Sequence, residues 1–110
     1  MKPPLLRQVA ERDIETGFVH YLQEASVEIA QAFVGAVDAA LHHIEQHPGT
    51  GSPRYGELFN TPGLRSWLVS RFPYMLFYVE HDNYLDVIRV LHQHSDIPVQ
   101  LQSEPSDSAS

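Results

Sequence analysis

The chain has 110 residues, 43% of them hydrophobic, no cysteine, and a formal net charge of −7 with histidine neutral. That length supports one modest core, and the missing cysteines exclude disulfides and thiolate metal sites. Seven Lys and Arg against fourteen Asp and Glu leave no basic stripe for gripping nucleic-acid phosphates. The longest apolar runs, such as Met75 to Val79, are too short to span a bilayer, and no leader pattern opens the chain. A soluble, cytoplasmic protein without strong direct nucleic-acid binding is therefore expected. The seven histidines add positive charge only below about pH 6.5.

In chain order, Leu5 to Val9 reads as a short strand after Pro3 and Pro4, interrupted by Arg7. Glu11 and Asp13 then place acid in a first helical turn, where the helix dipole favours it. Ile14, Phe18, Tyr21, Leu22 and Ala25 follow at helical spacing. Gly17 weakens this helix by roughly 1 kcal/mol relative to alanine, so packing has to compensate. Ser26 is a candidate N-cap for a second helix. Ala30, Phe33, Val34, Val37, Leu41 and Ile44 keep one face apolar until His47-Pro48-Gly49 ends it. Two helices with so short a join predict an antiparallel hairpin.

Pro48 to Gly63 is rich in Gly and Pro and reads as a long irregular connection. Leu64 to Phe72 alternates, with Arg65, Trp67, Val69 and Arg71 on one side and Leu64, Ser66, Leu68 and Ser70 on the other. Pro73 precedes a second, aromatic-rich strand, Tyr74 to Glu80. Asp82-Asn83 predicts a tight turn, since both residues tolerate positive φ. Leu85 to His92 predicts a third strand with Val87, Arg89 and Leu91 on one face. The core is expected at Phe33, Val37, Leu41, Leu68, Leu76 and Val90. The domain is expected over residues 1–98, followed by a polar, disordered tail over 99–110. The order is strand, helix, helix, then a three-stranded antiparallel meander: an α+β domain with its helices across one sheet face. The other face is expected to be only partly covered, which leaves room for a partner.

Several segments carry a family resemblance. Pro62-Gly63-Leu64-Arg65 resembles the entry into the sheet of the RelE/ParE toxin superfamily of type II toxin–antitoxin systems. Phe72-Pro73-Tyr74-Met75-Leu76-Phe77-Tyr78 resembles its aromatic-proline-tyrosine hairpin, and Ile88-Arg89-Val90-Leu91-His92 its last core strand. Asp96 stands where the family often places an aspartate. Ala10-Glu11-Arg12-Asp13-Ile14 is similar to the family's first-helix entry, and His47-Pro48-Gly49-Thr50-Gly51 to its Pro-x-x-Gly after the second helix. The match runs over roughly residues 5 to 98. His94 departs from it, standing where many members carry arginine.

The resemblance implies a toxin neutralised by a cognate antitoxin (ParD-like or similar), which wraps an extended segment and a helix around it in a higher-order complex. RelE-like members cleave ribosome-bound mRNA; ParE-like members are implied to poison DNA gyrase. RNA cleavage without metal needs a base, an acid and cations around the phosphorus. Arg65, Arg89 and His92 are the candidate set for it, but strand alternation puts Arg89 and His92 on opposite faces. With so few cations, the ParE-like branch is expected: a binding protein rather than an enzyme. The alternatives are a RelE-like endonuclease and a degenerate toxin that only binds antitoxin.

Arg65, Trp67, Arg71 and Tyr78 are expected at the antitoxin or target surface, as are Arg89, His92 and Asp96. Three of them have a plainer reading as well. Arg89 within an apolar strand fits a structural arginine paired with a carboxylate, and His92 fits a hydrogen-bonded histidine at the core edge. Trp67 fits core or interface. His43 and His47, at i and i+4 with His42 beside them, have the spacing of a metal pair, but no suitably spaced acid completes a site. No cofactor is expected, and the chain has no phosphate-loop or nucleophile motif.

Overall fold

The computed structural model describes residues 2–102. Strand β1 is Pro4–Leu6, shorter than expected. Arg7 is the extended residue before helix α1, Gln8–Glu24, which buries Val9 and Ala10. Val9 is thus the first apolar residue of the helix rather than the last of a strand. Ala25 and Ser26 turn the chain into α2, Val27–Gln46, and the Ser26 hydroxyl accepts the Ile29 N–H at 3.1 Å. The expected N-cap is in place. Ala30, Phe33, Val37, Ala40 and Ile44 form the buried stripe of α2, and Pro48 ends it, as proline must.

The connection expected to be irregular holds a single 3-10 turn, Pro48–Thr50, and a short helix, α3, Arg54–Leu58. Strand β2 is Leu64–Leu68 and stops sooner than the alternation suggested. Val69 donates to the Tyr74 carbonyl at 2.9 Å, and Arg71 takes φ 69 at the turn. Pro73 has no N–H to continue a ladder, so the reversal falls before it. Strands β3, Tyr74–Glu80, and β4, Leu85–His92, lie where the sequence placed them. The turn between them closes by His81 N–H to Tyr84 O at 2.8 Å, without positive φ at Asp82 or Asn83. A final helix, α4, spans Ile97–Gln102. It takes up residues 99–102, which were expected to open the polar tail. The remainder of that tail, 103–110, lies outside the described residues.

The four strands lie in the order β1-β4-β3-β2. The meander is antiparallel, and β1 joins its far side parallel to β4, with Leu5 opposite Asp86. Helices α1 and α2 cover one face, where Phe33, Val37 and Ile44 pack with Leu76, Tyr78, Val87 and Val90. The other face carries Leu64, Phe77 and Leu91 under Ile97 and Leu101 of α4 and Tyr55 of α3. A register shift at Phe77/Tyr78 leaves Ile88 without an opposite residue. Val87 therefore faces α1 and α2, whereas Arg89 and Leu91 face away; the three do not share one face as alternation had suggested.

Of the expected core, Phe33, Val37, Leu76 and Val90 are buried, and Leu41 is partly buried against them. Leu68 is the exception at 54% exposed. It sits opposite Met75 on the face away from α1 and α2, at the free end of β2.

Candidate functional site at the free sheet edge

β2 is the outer strand of the sheet. A strap from the 3-10 turn covers part of its edge: Ser52 and Ser66 exchange both main-chain hydrogen bonds, at 2.8 and 2.9 Å. Tyr78 anchors the strap from within the core. Its hydroxyl donates to the Pro48 carbonyl at 2.7 Å and accepts the Gly51 N–H at 3.0 Å. Burial pushes its phenol pKa up, against smaller opposing effects of the Gly51 hydrogen bond and the Arg65 charge. Gly51 has to be glycine, because a Cβ there would lie 2.6 Å from the Tyr78 hydroxyl oxygen. Arg65 ties the strap from the other side, donating to the Gly51 carbonyl at 2.7 Å. Tyr78 and Arg65, both expected at a binding surface, are thus engaged in shaping the strap.

Past the strap, an open groove of about 540 Å³ wraps round the remaining edge of β2. Thr50, Ser52, Arg54 and Tyr55 line it from the connection, and Trp67, Leu68, Met75 and Gln93 from the sheet and its end. Trp67 is held flat against His43, with ring centroids 4.5 Å apart and 10° between planes. His43 also meets Thr50 Oγ1 at 3.4 Å and His47 at a ring separation of 5.2 Å. The histidine pair that had metal spacing therefore braces a tryptophan. Among the described residues no group of three His, Cys, Asp or Glu is placed to hold a metal.

Arg89 lies far from this groove and is 6% exposed. Its Nε donates to Asp13 Oδ2 at 2.7 Å, its Nη2 to Asp13 Oδ1 at 2.8 Å, and its Nη1 to the Gln100 carbonyl at 2.9 Å. Asp13 Oδ2 also accepts the Val90 N–H at 3.0 Å, capping β4 beyond the reach of the short β1. The plainer reading of Arg89 matches this geometry: one arginine ties β4 to α1 and α4. His92 is opposite Tyr74, on the other face from Arg89, and their rings are 5.2 Å apart. His92 Nδ1 accepts the His94 N–H at 3.0 Å. Burial lowers its pKa from 6.5, with help from the His94 and His20 charges. Arg65, Arg89 and His92 do not come together as one constellation. Arg71 is exposed at the β2–β3 turn, and Asp96 stands at the start of α4, where its carboxylate accepts the Val99 N–H at 3.5 Å.

Of the sequence candidates, only Trp67 lines the groove. Arg54, Leu68 and Met75 were missed. The alternation of β2 assigned Leu68 to a face but could not say that nothing covers it, and Arg54 lay in a segment without periodicity.

The fold is thus an α+β domain with an open groove at the free edge of its sheet. Residues 5–97 match the family described as ParE toxin of type II toxin-antitoxin system, parDE, and the chain belongs to that family. No curated protein is significantly similar to it. Among solved structures, one described as "Chromosomal ParDE TA system from P. aeruginosa" is similar at a TM-score of 0.71 and 19% identity, over 84% of this chain and 96% of that one. The likeness is one of fold. Among the described residues, no helix is long and apolar enough to cross a membrane.

Proposed function

We propose that the chain is the toxin of a parDE-type pair that acts in the cytoplasm on DNA gyrase and is silenced, in a higher-order complex, by a cognate antitoxin. Membership of the family supports the toxin–antitoxin half of this reading. The observation that carries the choice of target is the state of Arg89. An arginine 6% exposed and doubly bonded to Asp13 is occupied in holding the fold. His92 lies on the opposite face from Arg89, so two of the groups that metal-free RNA cleavage would use stand apart. The open groove at the β2 edge suits docking, where affinity is spread over a surface.

The test is a comparison of purified toxin in two assays. Gyrase-dependent supercoiling should fall, or cleaved DNA accumulate, at toxin concentrations that leave ribosome-bound messages intact. His92→Ala should reduce the gyrase effect by no more than about tenfold, as loss of one docking contact does. Ribosome-dependent mRNA cuts that vanish by orders of magnitude in His92→Ala would transfer the chain to the nuclease branch.

A further inference from the structure

We propose that His43 and His47 form a two-imidazole site for a divalent transition cation of the copper, nickel and zinc class, at the joint between α2 and the strap.

The first support is the spacing of the rings. The two side chains stand one helical turn apart, and their ring centroids are 5.2 Å apart. A metal ion lies about 2.0–2.1 Å from an imidazole nitrogen, hence roughly 3.2 Å from the ring centroid. Two imidazoles sharing one tetrahedral ion therefore hold their centroids roughly 5.2 Å apart. The rings already stand at the separation that chelation requires.

The second support is what the rings leave unused. His47 is exposed, and among the described residues no hydrogen bond or ion pair engages its ring. His43 is held in place by its stack on Trp67, and Thr50 Oγ1 lies 3.4 Å from its Nε2. That distance is long for a hydrogen bond. It is close to the separation of two donors on one tetrahedral ion, about 3.4 Å. The Thr50 hydroxyl thus offers an oxygen beside the histidine pair, directly or through a water.

The third support is the chemistry of the donors. Among the described residues no third histidine or carboxylate joins the pair. Glu45, between the two in sequence, turns to His42, with Oε1 3.8 Å from its Nδ1. Imidazole nitrogens without carboxylates suit copper, nickel and zinc, whereas magnesium and calcium demand oxygen ligands. Water fills the remaining positions, so the site is open on one side. An ion held there ties the last turn of α2 to the 3-10 turn from which the strap departs, and stiffens the brace behind Trp67.

The experiment titrates the full chain with copper(II) chloride at about pH 7.5, because a ligating imidazole must be neutral. Trp67, the single tryptophan, is stacked on His43 and reports occupancy by fluorescence, which a bound paramagnetic ion quenches. Quenching should saturate at one ion per chain, and zinc, which does not quench, should compete it away. His47→Ala should raise the midpoint at least about tenfold, as loss of one of two ligands does. His42→Ala removes an imidazole engaged with Gln46 instead, and should leave the midpoint within about twofold. In the wild type, substoichiometric copper should broaden the ring NMR signals of His43 and His47 before those of His20, His92 and His94. That comparison needs no variant to fold. Quenching without saturation, a midpoint unmoved by His47→Ala or raised equally by His42→Ala, or first broadening at the other histidines overturns the proposal. A chain that binds copper here but spares gyrase keeps this site and loses the proposed target.

Discussion

His92 shows how one side chain couples stability to pH. Its Nδ1 accepts the His94 N–H, and its pKa is held below 6.5 by burial, then by His94 and His20. Tyr74 is its ring neighbour from β3. In the unfolded chain the imidazole takes its proton near the ordinary value; in the folded chain it resists until lower pH. Between those two values the unfolded state binds more protons, so stability falls as pH drops below 6.5 and is retained above it. His92→Asn keeps an acceptor for the His94 N–H and removes the titration. Thermal melts at pH 7.5 and 5.5 should lie closer together in His92→Asn than in wild type; an unchanged gap would mean that other histidines carry the acid sensitivity.

Helix α1 meets α2 at Gly17, and there packing decides against local propensity. A Cβ on Gly17 would lie 2.7 Å from both Cε2 and Cζ of Phe33 and 3.4 Å from the Tyr74 hydroxyl. Phe33 cannot yield easily, because it is fully buried and its ring contacts Tyr21, Phe72 and Tyr74. Gly17→Ala gains about 1 kcal/mol of helix propensity and loses about 1–3 kcal/mol to overpacking. The expected outcome is a urea midpoint lower than wild type, by a net loss of about 1 kcal/mol; a raised midpoint would show that the helices have room. The sequence revealed Gly17 only as a weak point of α1, because Phe33 lies on another helix. Elements with their own periodicity and punctuation were legible: the stripe of α2, β3 between Pro73 and the Asp82-Asn83 turn, and β4 after that turn. Helix α3 was not. Its five residues are too few to hold a helix by local signal, and Tyr55 on Phe77, ring centroids 5.3 Å apart, helps hold it in place. With α3 hidden, the place of Arg54 at the groove was hidden too. The bulge at Ile88 left no mark in a strand of uniformly β-favouring residues.

At the scale of the molecule, Arg89 and Asp13 join segments that no local pattern relates. Asp13 read as a favourable acid in a first turn; its partner lies in the last strand. Asp13→Ala should remove the carboxylate that holds the buried Arg89 by two hydrogen bonds and lower the unfolding free energy by about 3–5 kcal/mol in urea titration. Replacing both groups, Asp13→Leu with Arg89→Met, should recover most of that loss, because an ion pair exchanged for apolar packing is often neutral. A double variant as unstable as the single one would assign the tie a role beyond pairing. The double variant also separates stability from toxicity: if it folds and still poisons its target, Arg89 makes no contact that toxicity requires.

The parallel pairing of β1 with β4 has a consequence in time. Leu5 waits for Asp86, roughly eighty residues downstream, and at about 5–20 residues per second the ribosome takes roughly 4–16 s to supply it. Until then the helical hairpin has only β2 and β3 to lie on, and Asp13 has neither Arg89 nor the Val90 N–H to bind. Long-range closure of this kind resists shortcuts, since the loop entropy is spent before any contact repays it. The native fold therefore cannot precede translation of its own last strand. A partner made earlier has those seconds in which to find an apolar, unfinished chain, and a message broken ahead of β4 yields no folded domain.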